Sequence, residues 1–277
     1  MAGNKKKTTS PAVKGILIVV IILCIGVMGF SAYKLISTQL EYKKSRDEYA
    51  SLQDYIAQTG GRDEEIGTGT QTNSATEASS VSEELQKNKC PITVDAQGLL
   101  EKNPDFVGWI YMEAVEVSYP VVQGRDNSYY LDHFPDGTSS VGGSIFADCA
   151  CPSDFSGQNT ILYGHNMRDG SMFALIDDYI DPAFCEAHPF FYLNTPTRNY
   201  RVDIFAGFTT DPESFVYTTA FGEESDFAAY LNTLRSLSDF SVPTELSSSD
   251  RILTLSTCTY SDLDVRYVLF GRLAEIG

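Results

Sequence analysis

Positive charge is scarce in this sequence, and the scarcity is confined to one part of it. The 277 residues hold 20 Lys+Arg against 37 Asp+Glu, a formal net charge of −17. Residues 1–89 carry 11 basic and 10 acidic side chains, whereas from Cys90 to the end the count is 9 against 27. An acidic domain argues against a nucleic-acid partner, because phosphates need cations. The simple account of the acidity is solubility. Histidine is rarer still: with three in the chain, imidazole chemistry falls to His133, His165 or His188. The cysteines do not form a metal motif. Cys149-Ala150-Cys151 with Cys185-Glu186-Ala187-His188 has zinc-ligand types, but C-x-C plus C-x-x-H replaces the usual paired knuckles, so no metal or other cofactor is expected. No internal repeat is visible.

Long apolar runs are also missing, with one exception. Gly15 to Tyr33 is 19 positions without a charge, enough for a helix to cross a bilayer. Lys5, Lys6, Lys7 and Lys14 precede it, which keeps the N-terminus cytoplasmic by the positive-inside rule. A secretory signal peptide is the competing reading. It would have a shorter apolar region and a small-x-small cleavage site, for which Gly29-Phe30-Ser31-Ala32 is a weak candidate. The sequence therefore predicts a basic tail (1–14), an uncleaved single-pass anchor in the cell membrane (15–33), and everything beyond it outside. Residues 34–57 mix Leu, Ile and Tyr with charges at helical spacing and lack Gly and Pro, as a juxtamembrane helix would. Residues 58–89, mostly Gly, Ser, Thr and acids, read as a flexible spacer. Residues 90–277 remain as one domain, large enough for a single core.

That domain reads as mainly β. Trp109–Met112, Val117–Val122, Ser144–Ala147, Thr160–Tyr163, Phe190–Leu193, Tyr200–Phe208, Ile252–Thr257 and Arg266–Arg272 are apolar, branched or aromatic, and bounded by turn residues. Eight strands at this spacing suggest a closed barrel or sandwich. Helices are expected at Gly98–Lys102, Ser128–His133, Met172–Tyr179 and Ser225–Leu237. The last puts Phe227, Tyr230, Leu231 and Leu234 on one face, inside a long connection of the kind that often walls a substrate.

The residues that carry chemistry lie at strand ends. Thr254-Leu255-Ser256-Thr257-Cys258 delivers a thiol, Arg266 follows, and Tyr163-Gly164-His165-Asn166 lies upstream. Thiol, imidazole and guanidinium suffice for acyl transfer through a thioester: the thiolate attacks, the histidine moves the proton, the arginine holds the developing charge. Papain-like hydrolases place cysteine before histidine, so the order His, Cys, Arg disfavours that family. A lone cysteine is more often a small buried hydrophobe; the nearby base and cation select Cys258 as nucleophile and His165 as acid and base. His133, in a solvated turn, and His188, before Pro189, read as surface residues.

These motifs resemble the sortases, cysteine transpeptidases that anchor proteins to the Gram-positive cell wall. The matching runs include Asn103–Ile110, Tyr119–Gly124, Asp126–Leu131, Gly143–Asp148, Asn159–Met167, the Thr254–Cys258 strand and Arg266, so the resemblance extends from about residue 92 to the last strand. The Ser225–Leu237 insertion and the Asp95–Lys102 lead-in are most like class B, with classes A and D behind. Class C enzymes usually carry a lid before the barrel and a second span after it. The chain stops at Gly277, where no second span fits, and Asp211-Pro212 resembles a lid dipeptide but falls late in the barrel.

The resemblance implies an eight-stranded sortase-like β-barrel preceded by a transmembrane helix. It gives Arg266 the role of substrate and oxyanion clamp, with a backbone N–H such as that of Thr259 as a second donor. Asn127, Leu131, Tyr163, Tyr217 and Ser256 match groove positions, although core packing is the ordinary alternative for Leu131 and Tyr163. It implies partners as well: surface proteins with an NPQTN-like or PxTG-like sorting signal, and an amine of peptidoglycan or its lipid-linked precursor. Some sortases use calcium, but the acids Glu213, Glu223 and Glu224 form no recognisable loop. The five cysteines other than Cys24 allow up to two disulfides beside a free Cys258, or reduced buried thiols. Two alternatives remain open: a cysteine peptidase with water as acceptor, and a non-catalytic tethered binding module.

Overall fold

The structure, a computed structural model, describes residues 11–58, 88–258 and 265–277, with side chains for all of these except 11–14, 18, 58 and 258. Two compact units emerge, Met1–Arg46 and Asp47–Gly277.

Helix α1 (Pro11–Leu52) is continuous through the apolar run and the charged stretch that follows. It is the one described helix long and apolar enough to cross a membrane. The juxtamembrane helix expected over 34–57 stops earlier. After Leu52 comes a 3-10 turn, Gln53–Tyr55, and then strand β1 (Ile56–Gln58), which pairs antiparallel with β2 (Ile92–Val94). The spacer was expected from residue 58, but Gln58 is already in that strand; residues 59–87 lie outside the described ones.

The larger unit is a closed eight-stranded barrel. Its strands are β3 (Phe106–Met112), β4 (Val117–Val122), β5 (Ile145–Ala147), β6 (Asn159–Tyr163), β7 (Phe190–Asn194), β8 (Asn199–Thr210), β9 (Ile252–Cys258) and β10 (Arg266–Ile276). Around the barrel they run β10-β8-β7-β3-β4-β5-β6-β9, so every expected strand is present and no edge is left open. Most pairs are antiparallel; β4–β5 and β6–β9 are parallel. The second parallel pair matters most, because it brings the ends of β6 and β9 to the same rim.

Helices fill in around this frame. Asp95 caps α2 (Ala96–Lys102) by accepting from Gly98 N at 3.0 Å. Pro182 opens the short helix α3 (Pro182–Ala187), capped by Asp181; six residues gave no periodic signal in the sequence. Helix α4 (Glu224–Leu237) starts with a reciprocal capping box between Glu223 and Asp226. Its face of Phe227, Tyr230, Leu231 and Leu234 is buried against Phe205, Ala206, Phe208, Val268 and Phe270. Burying side chains of this size contributes about 1.5–3 kcal/mol each. That contact explains β8: its first half alternates buried and half-buried residues, whereas Phe205–Phe208 are buried on both faces beneath α4.

Two helical expectations need correction. Ser128–His133 holds only the 3-10 turn Tyr129–Leu131, and Met172–Tyr179 is a loop leading into a 3-10 turn at Ile176–Ile180. In the second case Met172, Phe173, Ala174, Ile176 and Tyr179 are all buried, so packing rather than helical amphipathicity produces the apolar pattern.

Candidate active site

Strand register assembles the chemistry. β9 lies between β6 and β10. Tyr163 is level with Ser256 on one side, and the backbone of Cys258 pairs directly with that of Arg266 on the other. The chain leaving β6 stays at this rim because Gly164 N donates to Ser256 O at 3.2 Å. Only glycine fits there: a Cβ on Gly164 would lie 2.5 Å from Ile145 Cδ1 and 2.6 Å from Phe173 Cδ2. His165 therefore follows the end of β6 at the level where Cys258 ends β9.

His165 is oriented by backbone. Its Nε2 lies 2.7 Å from Leu131 O. A carbonyl oxygen only accepts, so Nε2 carries the proton, and in the neutral ring the lone pair falls on Nδ1. The backbone of His165 is held as well, its carbonyl accepting from Phe173 N at 2.9 Å.

An open cavity of about 240 Å³ is lined by Asn127, Leu131, Tyr163, His165, Tyr217, Ser256 and Arg266. All the site residues read from the sequence except Cys258 thus share one cavity. The Cys258 side chain, and the whole of Thr259, fall outside the described residues. Tyr163 and Tyr217 face each other with ring centroids 6.2 Å apart, and the Tyr217 hydroxyl is 3.0 Å from Ser256 Oγ. Arg266 Nη1 donates to Val265 O at 3.4 Å.

Sequence reasoning missed four lining residues, Phe146, Gly164, Pro212 and Thr257. Pro212 belongs to the dipeptide set aside as falling too late for a lid; the long connection brings it back to the cavity. The larger omission is Asp148. This buried carboxylate accepts from Asn127 Nδ2 and from the Tyr163 hydroxyl, both at 2.9 Å on Oδ2, while Oδ1 accepts from Ala150 N at 2.8 Å. Cys149 N donates to Asn127 Oδ1 at 2.8 Å, so the amide is fixed at both ends. Burial first, and then the neighbouring Asp148 charge, push the Tyr163 phenol well above its ordinary pKa and keep it a hydrogen-bond donor. An acid just after a short strand reads as a solvated turn, and only the β5–β6 register (Ala147 opposite Leu162) reveals that it points at Tyr163.

The other thiols differ in kind. Cys24, Cys90, Cys149, Cys151 and Cys185 are all free, which decides against disulfides among the described residues. Burial pushes Cys151 and Cys185 up to about 11 and raises Cys90, so these three stay protonated and poorly nucleophilic at neutral pH. Among the described residues no three His, Cys, Asp or Glu side chains converge as metal ligands would. Glu223 caps a helix, and His133 sits at the surface, stacked on Tyr129 with its Nδ1 2.7 Å from Asp132 Oδ1.

A closed barrel that gathers a histidine, an arginine and the end of a cysteine-bearing strand at one rim defines a cysteine transpeptidase of the sortase type. The family model for the Sortase domain matches residues 110–274, and the chain belongs to the sortase family. Within it the similarity is to class B. Sortase B of Listeria monocytogenes is 40% identical over 181 residues, covering 65% of this chain and 74% of the relative. Sortase B of Staphylococcus aureus is 27% identical over 263 residues, covering 94% and 95%. Among solved structures, a S. aureus sortase B–substrate complex superposes with a TM-score of 0.68 at 26% identity, covering 86% of this chain and all of that one. Sortase B from Bacillus anthracis in complex with AAEK1 gives 0.68 at 27% identity, covering 85% and 99%. The chain is an enzyme, a sortase B-like cysteine transpeptidase.

Proposed function

We propose that this enzyme cleaves a C-terminal sorting signal after Thr and transfers the new acyl end to a cell-wall amine. The observation that carries the reading is the single cavity in which His165, Arg266 and the aromatic wall meet beside the strand that ends in Cys258. In the first half-reaction the Cys258 thiolate attacks the Thr carbonyl, and the Arg266 guanidinium binds the oxyanion with a fork of donors that cannot deprotonate. The Thr–Gly or Thr–Asn bond then breaks, with His165, as imidazolium, giving its Nδ1 proton to the leaving amine. The Nε2–H bond to Leu131 O favours Nδ1 as the working nitrogen in both directions. In the second half-reaction the incoming amine attacks the thioester, His165 takes its proton, and the thiolate leaves.

The substrate groove follows from the same residues. Leu131, Tyr163 and Tyr217 supply an apolar channel for a Pro-kinked peptide with a β-branched Thr, and Asn127 and Ser256 supply polar contacts. The expected partners are surface proteins with an NPQTN-like or PxTG-like signal, and peptidoglycan or its lipid-linked precursor as the source of amine. The S. aureus relative has been solved with a substrate, in keeping with a peptide groove here. The candidate span in α1, preceded by lysines, supports an N-in, C-out anchor with the barrel outside the cell.

The test is mass spectrometry of the full chain with a library of sorting peptides, with and without candidate amines. Transpeptidation predicts peptide–amine products whenever amine is present. Cleaved peptide alone, unchanged by added amine, would make the enzyme a peptidase with water as acceptor. No covalent product with any peptide would leave a binding module.

A further inference from the structure

We infer that Tyr49, in the last turns of α1, is a positioning residue that braces His165 from two sides; the inference rests on His165 being the acid and base proposed above. Tyr49 is only 6% exposed, and its hydroxyl donates to Gly143 O at 2.6 Å, a contact between residues 94 positions apart. Gly143 is no ordinary loop residue. It has φ +54, and a Cβ on it would lie 2.5 Å from both Tyr130 O and Leu131 O, so its backbone lies directly on the 3-10 turn. Ser144 N secures the contact by donating to Tyr130 O at 2.8 Å. Leu131 O is the acceptor for His165 Nε2. The first route therefore runs from the Tyr49 hydroxyl through Gly143 and the turn to the imidazole.

The second route uses the ring. Tyr49 packs edge-on against Tyr119, with centroids 5.0 Å apart, and against Phe134 at 5.4 Å. The Tyr119 hydroxyl accepts from Met172 N at 3.2 Å, and the next residue, Phe173, donates its N–H to His165 O at 2.9 Å. One buried side chain thus supports both the carbonyl that fixes the imidazole tautomer and the segment that fixes the histidine backbone. A displacement of about 1 Å in a group that must meet a bound substrate costs up to 100-fold in rate. Tyr49 is accordingly a positioning residue for the acid and base, and not only part of a tether.

The experiment compares wild type, Tyr49→Phe, Leu52→Ala and His165→Ala in the full chain in detergent micelles. Turnover of a sorting peptide is measured together with the imidazole 15N spectrum of the three histidines. Tyr49→Phe should lower kcat roughly tenfold with KM nearly unchanged, and should weaken the His165 Nε2–H signature. Leu52→Ala removes a buried side chain three residues further along the helix and keeps the Tyr49 hydroxyl bond to Gly143, so it should lower Tm and leave the imidazole spectrum as in wild type. An unchanged spectrum or an unchanged kcat in Tyr49→Phe would overturn the brace. Full turnover by His165→Ala would instead overturn the acid–base reading, while the spectrum of Tyr49→Phe would still decide whether the brace exists.

Discussion

The candidate active-site cavity has two halves built by different means. One half comes from strands: Ser256, Thr257, Cys258 and Arg266 occupy adjoining strands, with His165 just past the end of a third. The other comes from connections: Asn127 and Leu131 between β4 and β5, Pro212 and Tyr217 between β8 and α4. In the strand half, ladder register fixes the β9 and β10 residues, and His165 is carried to them past the end of β6 and held by Leu131 O and Phe173 N. In the connection half nothing so general operates, and two buried polar residues take over. Asp148 holds Asn127 and Tyr163. Asn159, fully buried, donates to Thr218 O at 2.9 Å and Val216 O at 3.4 Å and accepts from Thr254 Oγ1 at 2.7 Å, so it ties the Tyr217 segment to β6 and β9. On the proposed reading, chemistry sits where backbone pairing is unforgiving, and substrate choice sits where a few side-chain bonds can be re-drawn.

Substitutions should separate the halves by the kinetic constant they change. His165→Ala, in the strand half, should lower kcat by about 10²–10⁴, the range for a lost general acid–base, with KM little affected. Arg266→Lys keeps the charge but loses the planar fork, and should cost about tenfold or more in kcat. If Lys or Ala at 266 turned over normally, Arg266 would be a structural cation and the strand half would lose its oxyanion clamp.

The connection half should respond mainly through KM. Asp148→Asn replaces a charged acceptor shared by two donors, and removing a bond to a charged group costs about 1.5–3 kcal/mol. We expect KM for a sorting peptide to rise about tenfold or more, and Asp148→Asn with Tyr163→Phe to be less than additive. A purely kcat effect would move Asp148 into the chemical half. Tyr217→Phe, which loses one neutral hydrogen bond to Ser256, should be the mildest, a severalfold KM increase worth about 0.5–1.5 kcal/mol.

The same division marks what the sequence made legible. All eight barrel strands could be read because each is short, apolar and bounded by turn residues. Cys258, His165 and Arg266 could be singled out as candidates because they lie at or near strand ends. Asp148, Pro212 and the Tyr49 contact could not be read that way. Asp148 matters through a cross-strand neighbour, Pro212 through the path of a long connection, and Tyr49 through a residue far away in sequence. The β1–β2 pair was hidden for another reason: Ile56–Gln58 continues the composition of the helix before it, and its partner is more than thirty residues on. Long-range pairing of so short a strand leaves no local signal.

The central claim is that one thiol of six forms the acyl intermediate, and acyl-adduct mapping tests it most directly. The full chain is mixed with a sorting peptide at neutral pH, quenched in acid, digested and analysed by mass spectrometry. The account predicts a thioester on Cys258 alone. Cys151 and Cys185, held protonated by burial with pKa values near 11, should carry nothing at that pH, and Cys258→Ala should give neither adduct nor product. An adduct on exposed Cys149, or sustained turnover by Cys258→Ala, would contradict it.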